Sequence, residues 1–256
     1  MKTIIVSHKT ALRMIRDYRI DPTNMRPLLD MEEYLKISSS VPQNKIDVLV
    51  HSKNQSRQSK KFQYHVATYN IKANMLQKFT NNIYCVKPEL LIIQLANVLG
   101  FEQLFLLISE LCGTYSLDVA NHDFETGLAP ATSIEKVKKF KNALLKDVDF
   151  FKGQTQLNKV LQYARDNSFS PMESKLLLKF SGPRCLGMYG IKGLDLNKPV
   201  KLSKKASLIA GQSTVIPDLS ISKYKVAIEY DSAQFHEDVK QGQKDKRRRD
   251  ALVKDN

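Results

Sequence analysis

The chain has 256 residues, of which 40 are Lys or Arg and 26 are Asp or Glu, so its formal net charge is +14. Apolar residues make up 42% of it, with only 10 Gly and 9 Pro, a composition that excludes a collagenous, low-complexity or wholly disordered protein. The excess positive charge favours a polyanionic partner, nucleic acid before an anionic membrane.

No uncharged apolar run reaches the length of about 18 residues that a bilayer span needs. The apolar core near the N-terminus is also too short for a secretory signal. The sequence therefore predicts a globular, cytoplasmic protein without a membrane partner. Its cysteines, Cys85, Cys112 and Cys185, lie far apart without zinc-ligand spacing, and we expect each to be buried and structural.

The N-terminal segment mixes short strands and helices. Polar and apolar residues alternate in Lys45–Val50 and Phe62–Tyr69, which predicts two strands. From Val48 to Pro88 no residue is acidic and seven are Lys or Arg. Within this stretch, Ser52–Ser59 predicts an exposed hairpin loop, which is either solvated only or a wing that contacts phosphates.

The middle of the chain has helical spacing up to about Asn167. The apolar residues after Pro88 occupy a wider face than a surface helix has, so this helix should be buried. Further helices are predicted over Glu102–Cys112, after Thr132 or Ser133, and over Gln154–Arg165.

A turn cluster, Asp166–Pro171, predicts a domain boundary and hence domains 1–167 and 168–256. At the end of this cluster, Ser170 suits an N-cap and Pro171 the first helical position, and Glu173 then suits the third. A helix should begin there.

The C-terminal third contains the side chains that are candidates for catalysis or metal binding. Two strands, Ser213–Ile221 and Tyr224–Asp231, are predicted around a short turn. Alternation then places Glu229 and Asp231 on one face, with Asp218 opposite them on the neighbouring strand. Three carboxylates at one point repel unless a cation or protons compensate, and their hard oxygens suit Mg²⁺ or Mn²⁺. The alternative, carboxylates that merely pair with nearby Lys and Arg, stays open from spacing alone.

The motif order in this part also carries a resemblance. The motifs follow one another in the order SPMESKL, a glycine-rich stretch ending Leu194-Asp195-Leu196-Asn197, VIPDLSI, VAIEYDSAQFH and KDKRRRDAL. Together they resemble the PD-(D/E)xK restriction-endonuclease-like superfamily, near the very-short-patch-repair endonucleases. The match covers about Ser170 to Val253. The upstream region resembles uncharacterised bacterial proteins similar to AbiEi-type antitoxins. The resemblance implies a small mixed sheet flanked by helices, preceded by an α/β and helical domain, and a role in bacterial defence.

The resemblance also implies roles for individual residues of this chain. The resemblance implies that Asp218 and Glu229 bind the metal, that Glu173 assists, and that His236 takes a proton from the attacking water. Asp231 stands where the family usually has Lys. Ser232 replaces the usual Gly. The chain stops at Asn256, before a further strand and helix of similar proteins, so we expect either a truncated nuclease domain or a sheet that closes in another way. The expected nucleic-acid contacts are basic: Lys204, Lys205, Arg247, Arg248 and Arg249.

These observations predict an α/β protein that is a Mg²⁺- or Mn²⁺-dependent DNA endonuclease, acting on double-stranded DNA. A second hypothesis is a non-catalytic DNA-binding or toxin–antitoxin regulatory protein on the same scaffold. Association with a second copy of the chain, or with a toxin–antitoxin partner, stays open.

Overall fold

A computed structural model describes residues 3–22, 45–56, 58–79, 82–118, 121–230, 247 and 249–254. They form a mixed α/β protein, which confirms the predicted fold class. The chain divides into two compact units, Met1–Asp166 and Asn167–Asn256; the boundary predicted from the sequence lies one residue later. Across the described ranges, no helix combines the length and the apolar character needed to cross a membrane.

The first unit is built on a five-stranded mixed sheet. Its strands are β1 Ile4–Val6, β2 Ile46–Val50, β3 Phe62–Val66, β4 Leu76–Lys78 and β5 Ile83–Val86. Their order across the sheet is β3-β2-β1-β5-β4. The pairs β1/β5 and β2/β3 are parallel, whereas β1/β2 and β4/β5 are antiparallel.

The parallel pairing of β2 and β3 shows that the hairpin predicted at Ser52–Ser59 is wrong. Ile46 lies beside Phe62 and Val50 beside Val66, so the loop is a crossover that returns the chain to the start of β2. The apolar contacts explain this choice, because the parallel register lets the buried side chains of β2 pack against Phe62 and Tyr64.

Helices and a small hairpin complete the first unit. The helices are α1 His8–Ile20, α2 Pro88–Leu95, α3 Phe101–Leu111, α4 Ile134–Leu144 and α5 Gln154–Val160, and the hairpin consists of β6 Ser116–Asp118 and β7 Asp123–Glu125. Every residue of α2 except Glu89 is buried, as its apolar sequence predicted. The last helix ends at Val160 rather than at Arg165, because the chain continues there in turns.

The second unit has two small antiparallel sheets. Its elements are α6 Pro171–Ser181, β8 Asp195–Leu196, β9 Val200–Lys201, α7 Lys204–Ala210, β10 Thr214–Val215, β11 Leu219–Ile221 and β12 Val226–Ile228. The strand orders are β12-β11-β8 and β10-β9, and residues 249–254 are helical.

One predicted strand of this unit, Ser213–Ile221, is in fact two. Its first part pairs with β9 and its second part with β8 and β12. The change of partner occurs at Pro217, which has no amide hydrogen to continue a ladder.

The cysteines only partly follow the prediction. Cys85 and Cys112 are buried, but Cys185 is exposed. The expectation of burial is wrong for Cys185 because it lies in a short 3₁₀ turn, Arg184–Leu186, none of whose residues is buried.

Candidate active site in the second unit

The register of β11 and β12 determines which side chains share a face. Leu219 lies opposite Ile228, and Ser220 lies opposite Ala227. The pairing ends there, with Asp218 directly before β11 and Glu229 directly after β12. Continued by one step, the same register would set these two acids opposite each other, because directly opposed residues of an antiparallel pair point to the same side.

Asp218 is held at the end of this hairpin by backbone groups. Its Oδ2 accepts a hydrogen bond from the Tyr230 N–H at 2.6 Å. Its carbonyl oxygen accepts one from the Asn197 N–H at 3.0 Å. Within the described part of the chain, Oδ1 of Asp218 accepts no hydrogen bond. One carboxylate oxygen is thus fixed by the protein, and the other remains for a ligand.

Glu173 lies in the first turn of α6, where the predicted cap forms. The Glu173 N–H donates to Ser170 Oγ at 3.2 Å, and the Ser170 hydroxyl donates back to Glu173 Oε1 at 3.1 Å. The Phe169 N–H donates to Glu173 Oε2 at 2.9 Å. A negative charge is favourable at this position because the N-terminal end of a helix is electropositive.

Asn197, to which the sequence analysis gave no role in the site, joins Glu173 to the sheet. Its Nδ2 donates to Glu173 Oε2 at 2.6 Å and to the Asn167 carbonyl oxygen at 2.8 Å. Asn197 is 9% exposed and has a φ of +48°, a left-handed conformation that Asn tolerates better than most residues. The sequence analysis predicted no strand at Asp195–Leu196, so spacing offered no signal for this role.

The carboxylate of Asp218 affects the ionisation of Glu173. Burial raises the pKa of Glu173 above its ordinary value, and the charge of Asp218 acts in the same direction. The hydrogen bond from Asn197 opposes both by stabilising the ionised form. The site is therefore a concentration of negative charge that amide, hydroxyl and backbone donors only partly offset.

Asp218 and Glu173 make no ion pair with any residue that the structure describes. Asp195 on β8, by contrast, pairs with Lys198 at 2.8 Å. Among the described residues, the alternative that the hairpin carboxylates merely pair with Lys or Arg is thus not met by Asp218. It stays open for Glu229, which is not without an interaction partner.

Only part of the metal-binding group expected from the sequence lies among the described residues. Asp231 and His236 lie outside the described residues. Among those described, no three His, Cys, Asp or Glu side chains are grouped so that they could hold a metal ion. Asp218 and Glu229 supply the carboxylate oxygens that Mg²⁺ prefers, so the donors present fit a hard cation.

Basic side chains lie on several elements of the same unit. Lys204 and Lys205 are exposed at the start of α7, and Arg247 and Arg249 are exposed near the C-terminus; Arg248 lies outside the described residues. A cavity of about 820 Å³ extends over the face that bears Glu229, and its cationic lining consists of Lys201, Lys225 and Arg249. Acidic and cationic groups thus border one surface.

Comparison of the chain with protein-family models, curated proteins and solved structures finds no match in any of the three. The resemblance to restriction-endonuclease-like domains accordingly stays a prediction from the sequence motifs.

Proposed function

We propose that the second unit hydrolyses DNA phosphodiester bonds with Mg²⁺ or Mn²⁺ held by Asp218 and Glu229. The observation that supports this most is the register of β11 and β12, whose continuation brings these two acids opposite each other. The charge of Asp218 also acts on the nearby carboxyl of Glu173. Like charges at this spacing repel each other, and a divalent cation is the simplest compensation.

Each side chain has a distinct part in this proposal. When bound, the metal would polarise a phosphate oxygen and lower the pKa of a bound water. The Tyr230 N–H orients the Asp218 carboxylate, and Asn197 orients Glu173. His236 would accept the proton of the attacking water. The cations bordering Glu229 would contact the phosphates next to the cleaved bond.

Cleavage of supercoiled plasmid tests the proposal directly. Asp218→Asn and Glu229→Gln keep the side-chain size and remove the charge that holds the metal. We expect each to slow Mg²⁺-dependent nicking by about 10²-fold or more, the usual effect of removing a group that stabilises transition-state charge. Glu135→Gln, an exposed acid of α4 in the first unit, is the matched control and should cleave like the parent. Equal cleavage by all three variants and the parent would refute the assignment.

A second candidate, a DNA-binding regulator without catalysis, is favoured by a different observation. Both oxygens of Glu173 and one of Asp218 already accept hydrogen bonds within the protein, and Asp231 replaces the lysine usual in the family. Titration calorimetry with Mg²⁺ and Mn²⁺ separates the two candidates. No heat of metal binding, together with DNA affinity that falls steeply with salt, would select the regulator.

A further inference from the structure

The first unit contains a cavity of about 800 Å³ with aromatic walls. Tyr18 of α1, Phe79 after β4 and Phe140 of α4 contribute its rings. Tyr18 and Phe79 stand edge to face with their centroids 6.2 Å apart, and 39% of Tyr18 is exposed. The volume is within the range of small-molecule sites, about 300–1,000 Å³, and the aromatic faces suit stacking with a flat ring.

Among the residues that the structure describes, the lining of the same cavity includes four cations and one acid, Glu89. Arg19 is committed to the protein, since its N–H groups donate to three backbone carbonyl oxygens. Lys139 pairs with Glu135 at 2.6 Å. The ammonium groups of Lys87 and Lys136, in contrast, have no hydrogen-bond or ion-pair partner among the described residues. Two lysines are thus left to bind an anion.

The carboxylate of Glu89 is also oriented. Glu89 Oε1 accepts a hydrogen bond from the Thr132 hydroxyl at 2.5 Å, which directs the carboxylate and leaves acceptor capacity on Oε2. A ligand with hydroxyl or amino donors between its ring and its anionic end would match this arrangement.

We propose that this cavity binds a nucleoside phosphate. The base stacks against Tyr18 and its aromatic neighbours, the phosphates contact Lys87 and Lys136, and Glu89 accepts from a ribose hydroxyl or an exocyclic amine. The chemistry follows from the combination, since cations alone would serve any anion and aromatic walls alone any flat apolar molecule. This inference does not depend on the nuclease proposed for the second unit.

Titration calorimetry of the full chain with ATP, AMP and inorganic triphosphate tests the proposal. Lys87→Gln/Lys136→Gln should weaken ATP binding by about tenfold or more, because each charge-assisted hydrogen bond contributes that order of affinity. Lys138→Gln, on the same helix as Lys136 but not lining the cavity, should bind ATP like the parent. Absence of ATP binding at millimolar concentration, or equal weakening by Lys138→Gln, overturns the proposal.

A second variant separates nucleotide recognition from simple anion binding. Tyr18→Ala should weaken ATP and AMP binding several-fold through lost stacking and leave triphosphate binding unchanged. Inorganic triphosphate that binds as tightly as ATP would overturn the nucleotide assignment, as would a Tyr18→Ala variant with unchanged ATP affinity.

Discussion

Asn197 joins α6 to the sheet of the second unit, and its replacement tests the geometry of the candidate site. Asn197→Ala removes two hydrogen bonds from a nearly buried amide, one to Glu173 and one to the Asn167 carbonyl oxygen. It also leaves Ala with a φ of +48°, a conformation that favours Gly over Ala. Asn197→Gly removes the same hydrogen bonds without that backbone penalty, so the two variants separate the contributions.

The structure sets the size of the expected effect. The bond to a neutral carbonyl contributes about 1 kcal/mol and the bond to a charged carboxylate about 1.5–3 kcal/mol, while the left-handed backbone costs Ala about 1 kcal/mol. We expect Asn197→Gly to lower the free energy of unfolding by about 3 kcal/mol and Asn197→Ala by about 4 kcal/mol.

The effect should also depend on pH. Burial already raises the pKa of Glu173, and removal of the Asn197 donor raises it further. An acid whose pKa is raised on folding stabilises the folded chain at low pH and loses that contribution as pH rises through the folded value. Both variants should therefore lose more stability at about pH 7 than at about pH 4.

Urea unfolding followed by circular dichroism measures these losses, and hydrogen exchange of peptides over residues 195–220 assigns them to the second unit. A loss below about 0.5 kcal/mol for both variants, within the range of an ordinary surface change, would show that Asn197 does not hold Glu173 in place. A loss independent of pH would contradict the charged state inferred for that carboxylate.

Three further predictions concern the first unit and the cysteines. Glu110 is 1% exposed and accepts two hydrogen bonds from Arg16, at 2.7 and 2.8 Å, so Glu110→Ala should lower the free energy of unfolding by about 3–5 kcal/mol. Glu135→Ala, which breaks an exposed ion pair, should change it little, and equal losses in the two variants would contradict this prediction. Burial, with the ring of His65 stacked on it at a centroid distance of 3.6 Å, lowers the pKa of His8 from 6.5 to about 4, so the free energy of unfolding should fall as pH drops between these two values. His8→Gln should weaken this pH dependence, and an unchanged dependence would contradict the prediction. Only the exposed Cys185 should react with a thiol reagent in the folded chain, whereas rapid reaction of two or three thiols would disprove the burial.

Local rules account for the features that the sequence predicted well. The Ser170 cap forms because its hydroxyl needs only an N–H three residues ahead, a distance set by helix geometry alone. Helix α2 is buried because its apolar residues surround the axis, which leaves no face for water. The antiparallel pairing of β11 with β12 follows from the short turn between them and the two-residue period of a strand.

Other features depend on contacts between distant segments, which spacing does not encode. The parallel pairing of β2 with β3, the change of partner at Pro217 and the bridging by Asn197 each require a surface formed elsewhere in the chain. Their free energies belong to the packed arrangement, since a strand pairs where it buries most apolar area and an amide turns to the donors and acceptors that folding brings to it. The sequence alone thus determined the elements and the types of side chain available for chemistry, and the tertiary structure decided which of them meet.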